Sequence, residues 1–123
     1  MELGKYAQSE AIVSTDNTAI NVGSGNLPVF ATPSMIALME NAAMQCVAPY
    51  LDEISTTVGI ALNIEHARAS KTGEKIIAKA TLTAIKGREL LFDVEACDSK
   101  GQIGKGTHKR FIVDIEKFMN KLM

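Results

Sequence analysis

Thr32-Pro33-Ser34-Met35-Ile36-Ala37-Leu38-Met39-Glu40-Asn41-Ala42-Ala43-Met44-Gln45-Cys46-Val47-Ala48-Pro49 is the stretch whose reading decides the fold. A hydroxyl residue followed by proline is a helix start signal. Thr32 offers an oxygen that caps the first turn, and Pro33, with its φ already set, takes the first helical position. Met35, Ile36, Leu38, Met39, Ala42, Ala43, Cys46 and Val47 then recur on more than one helical stripe, which predicts a largely buried helix. Pro49 marks its end. One long helix this apolar needs a cover, and the rest of the chain supplies it.

Downstream, Val58, Ile60, Leu62, Ile64 and His66 alternate with Gly59, Ala61, Asn63 and Glu65, the period of a strand. Further runs extend from Ile76 to Ile85, Leu90 to Cys97 and Ile103 to Ile115. Lys86-Gly87 and the turn from Asp98 to Gly101 separate the last three. The short spacings predict hairpins and a four-stranded antiparallel meander. Upstream, Lys5 to Val13 reads as a first strand with weak alternation, and Asn21 to Leu27, containing Gly23-Ser24-Gly25-Asn26, as a loop. A short helix starting at Asp114 or Glu116 and running to Leu122 closes the chain. The pattern gives an α+β fold, an antiparallel sheet with one buried helix. Such a sheet covers one helix and leaves a flank, an expected dimer interface.

The 123 residues, 46% of them hydrophobic and 22% charged, suit one domain spanning 1–123 with a real core. A net charge of -1 argues against nucleic acid as a partner. No apolar run approaches the roughly 18 residues of a membrane span, and the polar start from Met1 to Glu10 does not read as a signal peptide, so a cytoplasmic protein is expected. Cys46 and Cys97 stand far apart in apolar stretches, as small core residues of a reducing compartment, and no metal-ligand spacing exists.

A few residues break the structural pattern. Glu40 sits mid-helix between Met39 and Ala42, where an acid is costly unless paired or useful; a polar sliver shared with Asn41 is the plainer explanation. Thr32 on its own is a good cap. His66 lies in phase with an apolar strand face, where a lone histidine is more often a satisfied structural residue than a catalytic one. His108 shares a face with Gly104, Gly106 and Arg110, where missing side chains leave room for a ligand or a close backbone; solvent is the other option. Gly59 interrupts a β-branched strand, as at a bulge, a ligand approach or tight packing on the helix.

Taken together, these residues resemble a known family. Ala31-Thr32-Pro33 through Leu38-Met39-Glu40 to Ala48-Pro49-Tyr50-Leu51 is similar to the helix region of fluoroacetyl-CoA thioesterase-like proteins. So are Val58-Gly59, the residues leading to His66, Lys86-Gly87-Arg88, the run from Ile103 to Arg110, and Glu116-Lys117-Phe118. The resemblance implies a hotdog fold, an antiparallel sheet wrapped around one central helix, and an acyl-CoA thioesterase. It places the family's catalytic Thr, Glu and His on Thr32, Glu40 and His66, and its active-site Gly and Arg on Gly59 and Arg110. It further implies a homodimer, a coenzyme A thioester as substrate, and no metal or tightly held cofactor. In that scheme Glu40 attacks the carbonyl or activates water, and His66 shuttles protons. Thr32 attacks or positions, the Gly59 amide faces the oxyanion, and Arg110 holds the site carboxylate or the coenzyme. Arg68, Lys71, Lys105 and Lys109 are available to the coenzyme phosphates, but each reads individually as a solvated surface charge. A hotdog dehydratase or hydratase is an alternative that fits the Thr32, Glu40, His66 set poorly; a non-catalytic acyl-CoA sensor is another, which an intact set argues against. The chain departs from the family just upstream of Thr32. Members specialised for fluoroacetyl-CoA carry large aromatic residues over the pocket there, whereas this chain has Gly23-Ser24-Gly25-Asn26-Leu27-Pro28, with Phe30 as the nearest ring.

Overall fold

The computed structural model describes residues 1–123. The central helix, α2, runs Thr32–Val47, after strand β1 (Tyr6–Ile12) and a single turn of helix, α1 (Ala19–Val22). Strands β2 (Ser55–His66), β3 (Lys75–Lys86), β4 (Glu89–Asp98) and β5 (Gly101–Asp114) follow, and α3 (Ile115–Asn120) ends the chain. The five strands form one antiparallel sheet. Its concave face takes Met35, Met39, Ala42, Ala43, Cys46 and Val47 of α2 against Ile76, Leu82, Leu90, Phe92 and Ile103. Ala78, Ala80 and Ala96 keep the facing strands small enough for the helix to sit close. This is the expected α+β hotdog arrangement. No helix is long and apolar enough to cross a membrane.

Three expectations need correcting. First, Thr32 is not the cap. Ala31 takes that position with extended backbone, Thr32 is the first helical residue, and no side chain caps the turn. Pro33 one position further in costs no hydrogen bond, because the first helical N–H groups have no intrahelical acceptor. The hydroxyl of Thr32 is thus free for another partner.

Second, β2 is not part of a meander. The sheet order is β1-β3-β4-β5-β2, so only β3, β4 and β5 are joined by hairpins. After His66 the chain crosses to the far side, where β3 pairs with β1, while β2 pairs with β5 at the other edge. Three strand spacings are about 14 Å, well within the reach of the residues numbered 67 to 74 at about 3.3 Å each. A short connection therefore did not require neighbouring strands.

Third, α2 buries one broad stripe; Ala37, Met44 and Gln45 lie on its exposed side. It packs mainly over β1 and β3, leaving the concave side of β5 and β2 without a cover. Ile60 and Leu62 of β2 are consequently 50% and 44% exposed.

The β2–β5 register sets out the functional residues. Gly59 lies opposite Arg110, Leu62 opposite His108, Ile64 opposite Gly106 and His66 opposite Gly104, with a bulge between Gly59 and Ala61. Directly opposed residues point to the same face. Gly104 and Gly106 of β5 are explained by close approach. A Cβ at Gly104 would meet Met35 Sδ at 2.7 Å, and one at Gly106 would collide with the Asn63 carbonyl.

Candidate active site

Thr32 and His66 meet where the start of α2 crosses the end of β2. Thr32 Oγ1 and His66 Nδ1 are 2.8 Å apart. The hydroxyl freed from capping is therefore engaged by an imidazole. His66 Nε2 is buried and has no hydrogen-bond partner within the chain. Burial depresses the His66 pKa, a contact with the Arg68 backbone opposing it, so the ring stays neutral to lower pH than a solvated histidine. A neutral ring accepts the Thr32 proton on Nδ1 when Nε2 carries the hydrogen.

Glu40 lies eight residues further along α2, about 12 Å of helix, and belongs to a second group. Its Oε2 is 3.8 Å from Arg110 Nη1. Gly59 is beside them, since a Cβ there would stand 2.8 Å from Glu40 Oε2 and 3.4 Å from Arg110 Nη1. The glycine is needed because the carboxylate and the guanidinium occupy the space of a side chain. Arg110 is buried and held by three acceptors. Its Nε donates to Thr57 Oγ1 at 2.8 Å, Nη2 to the Thr57 carbonyl at 3.0 Å, and Nη1 to His108 Nε2 at 3.1 Å. The other nitrogen of His108 faces the Ala61 carbonyl at 2.9 Å. A carbonyl only accepts and a guanidinium only donates, which assigns His108 as the neutral tautomer with its hydrogen on Nδ1. Burial also lowers the His108 pKa, in keeping with a ring that must stay uncharged beside an arginine.

The five residues singled out in the sequence thus form two groups, Thr32 with His66, and Glu40 with Gly59 and Arg110. Both sit on the uncovered concave flank. Two further residues, Thr57 and His108, were not foreseen as members. His108 was left between a ligand space and solvent, and it is fully buried. The signal for both was strand alternation: Thr57 is two residues before Gly59 and His108 two before Arg110, so each shares its neighbour's face.

Other expectations sort as follows. Arg68 is engaged away from the flank, donating to Asp98 at 2.7 Å and to the Gly101 carbonyl at 3.0 Å. Lys109 pairs with Glu89 at 3.6 Å, while Lys71 and Lys105 are exposed. Phe30 is 2% exposed and belongs to the core, so it lends no ring to a lid. Two open hollows of the single chain lie elsewhere, one on the outer sheet face around Lys79, Asp93 and Lys105, another between β1 and α2 around Ser9 and Asn41. Neither touches Thr32, Glu40, Gly59, His66 or Arg110.

Comparison with known proteins bears on the family and the fold. Residues 13–116 match the family described as fluoroacetyl-CoA-specific thioesterase. The fluoroacetyl-CoA thioesterase of Streptantibioticus cattleyicolor is 38% identical over 94 residues, which cover 76% of this chain and 68% of that protein. A solved structure of the fluoroacetyl-CoA thioesterase FlK superposes with a TM-score of 0.93 at 32% identity, over 99% of this chain and 95% of that one. A Thermus thermophilus protein described as a thioesterase superfamily member superposes with a TM-score of 0.91 at 25% identity, over 98% and 90% of the two chains. A central helix in a curled sheet and matches of this extent lead to one conclusion: the chain belongs to the fluoroacetyl-CoA-specific thioesterase family and is a hotdog-fold thioesterase.

Proposed function

We propose that the protein hydrolyses small or medium acyl-CoA thioesters to free acid and coenzyme A with Thr32, Glu40 and His66, in a site completed by a second copy of the chain. The observation that carries this reading is the 2.8 Å contact of Thr32 Oγ1 with His66 Nδ1, on the same helix and flank as a carboxylate kept near a buried arginine. Glu40 attacks the thioester carbonyl to form an anhydride that water then hydrolyses to the free acid and the regenerated carboxylate, or takes a proton from a water that attacks the carbonyl directly. The C–S bond breaks, the electron pair leaves on sulfur, and a proton delivered through His66 yields the free thiol of coenzyme A. Thr32 orients the imidazole or the carbonyl, and the Gly59 amide faces the developing oxyanion.

The second copy is argued from β2. This strand is an edge, with one side of its backbone unpaired and Ile60 and Leu62 exposed. Antiparallel pairing of β2 with its own copy, centred on Asn63 and with Ile60 as the bulged residue, brings Gly59 of one chain opposite His66 of the other. Glu40 beside Gly59 then faces the Nε2–H of that His66, the buried donor without a partner in its own chain. The two groups become one site through an isologous two-fold contact.

The acyl preference follows from the segment before Thr32. Ile20, Val22 and Leu27 are exposed, and the flexible Gly23-Ser24-Gly25 run offers little apolar cover. Such a lid excludes water poorly and lacks rings that discriminate fluorine from hydrogen. A broad thioesterase is expected, without a fluoroacetyl preference beyond the intrinsic reactivity of that ester. Free-thiol release from acetyl-, fluoroacetyl-, propionyl- and longer acyl-CoAs tests both points. Absence of turnover on all of them would reject the function. A fluoroacetyl preference of several orders of magnitude would place discrimination in the core residues.

A further inference from the structure

We propose that Thr57 and His108 are positioning residues that hold Arg110 back from Glu40, keeping a cation near the carboxylate while leaving its oxygens free to react. This rests on the reading of Glu40 as the attacking or proton-accepting group.

A guanidinium has five N–H donors and readily forms paired hydrogen bonds of about 2.8 Å to a carboxylate. Arg110 and Glu40 do not do this. Their nearest approach is 3.8 Å, inside ion-pair range but beyond a hydrogen bond. Three of the five donors are spent elsewhere, two on Thr57 and one on His108. Those acceptors are themselves fixed. Thr57 is buried on β2. His108 is anchored by its own bond to the Ala61 carbonyl and stacks on Phe92 with ring centroids 6.2 Å apart. Both acceptors sit on the β2–β5 ladder that also carries Gly59 and Arg110, so the restraint is built into the sheet.

The consequence is chemical. A bidentate pair would engage both carboxylate oxygens and draw off the electron density that attack on a carbonyl requires. At 3.8 Å the guanidinium stays within ion-pair range of the carboxylate without hydrogen-bonding its oxygens. A site that lost the restraint would let Arg110 swing onto Glu40 and lose catalytic power with little change in substrate binding.

The experiment compares Thr57→Val, which keeps the shape and removes the hydroxyl, with Thr57→Ser, which keeps the hydroxyl and removes the methyl. His108→Asn, which retains a donor for Ala61 but drops the acceptor for Arg110, is the second probe. Steady-state kinetics on acetyl-CoA are expected to show kcat about tenfold lower in Thr57→Val and His108→Asn, with KM shifted less than twofold; Thr57→Ser recovers most of the loss. In an Arg110→Met background, adding Thr57→Val should produce no further fall, because the arginine it releases is gone. A merely structural role predicts the reverse pattern, with Thr57→Ser as damaging as Thr57→Val, or a Thr57→Val effect that persists without Arg110; either result overturns the proposal. Should Thr57→Val fail to fold, His108→Asn alone and in the Arg110→Met background decides by the same criterion. Glu40→Gln is measured alongside. Full activity there overturns the reading of Glu40 itself. An inactive Glu40→Gln with an unimpaired Thr57→Val and His108→Asn overturns the restraint alone.

Discussion

Thr32 and His66 come together through a single hydrogen bond between the first residue of α2 and the last of β2, and one imidazole nitrogen has no partner in its own chain. Glu40, two turns along the same helix, instead faces a guanidinium tied by three hydrogen bonds to a sheet that also supplies a glycine to make room. The contrast matches the roles proposed for each half. In that scheme a proton arrives at and leaves the imidazole, which suits few and exchangeable bonds. The carboxylate meets a carbonyl, which suits surroundings set in advance.

The sharpest way to break this comparison is to separate the halves genetically. Glu40→Gln and His66→Ala should each lower kcat by about 10²–10⁴-fold while the protein stays folded. If the site joins Glu40 of one chain to His66 of the other, unfolding and refolding the two inactive variants together recovers activity. Half the dimers in an equal mixture are hybrids with one intact site of two, so roughly a quarter of wild-type activity returns. Light scattering should report twice the 13.2 kDa chain mass. A monomer, or a mixture with no recovery, would confine the site to one chain.

Next in size is Gly59→Ala. The new methyl would stand 2.8 Å from Glu40 Oε2 and 3.1 Å from His108 Cε1, and should displace the carboxylate. A fall in kcat of about 10–100-fold is expected, with the Thr32–His66 pair untouched. Wild-type kcat in this variant would show that the Glu40 half tolerates movement.

A smaller effect concerns pH. Burial lowers the His66 pKa, so the neutral, proton-accepting form persists below the value of a solvated imidazole. A Glu40 carboxylate of a second copy at Nε2 would raise the pKa instead, so the shared site predicts an acid limb of the kcat profile at or above about pH 6.5, activity rising as pH rises through it. A limb below that value would point to a site confined to one chain, where burial alone acts on His66.

The mildest test addresses the scaffold behind Thr32 and His66. Asp98 accepts from Arg68, Ser70 and the Lys100 amide, while the Ser70 carbonyl accepts from the Phe30 amide, two residues before Thr32. Burial pushes the Asp98 pKa up, but the bonds from Ser70, Arg68 and Lys100 outweigh it and bring it to about 2. A folded value below the unfolded one means stability that is complete above about pH 4 and disappears as pH falls through about 2. Asp98→Asn should cost on the order of 1–2 kcal/mol at pH 7, less than the full shift implies because Arg68 is partly exposed. Denaturant melts should show the difference from wild type shrinking toward pH 2. A difference constant with pH would assign Asp98 a packing role.

Much of this was legible locally. The apolar stripe of α2, the strand runs after Val58 and the turn at Lys86-Gly87 depend on residues two to four apart, and the structure has them all. Glu40 on an apolar helix and Gly59 in a β-branched strand stood out for a physical reason that the structure explains, since one fills the space the other leaves. Thr32 misled because a hydroxyl before proline is usually a cap, and nothing nearby in sequence names His66 as the competitor for its oxygen.

What the sequence determined by itself was the set of elements and the face each residue presents, because periodicity is a property of neighbouring residues. Tertiary structure alone decided that β2 lies at the far edge beside β5, that the candidate residues divide into two groups, and that Thr57 and His108 clamp Arg110. The reason is that strand partnership is a long-range choice. The cost of closing a loop changes only slowly with its length, so a short connection leaves several partners open, and burial of the whole helix selects among them.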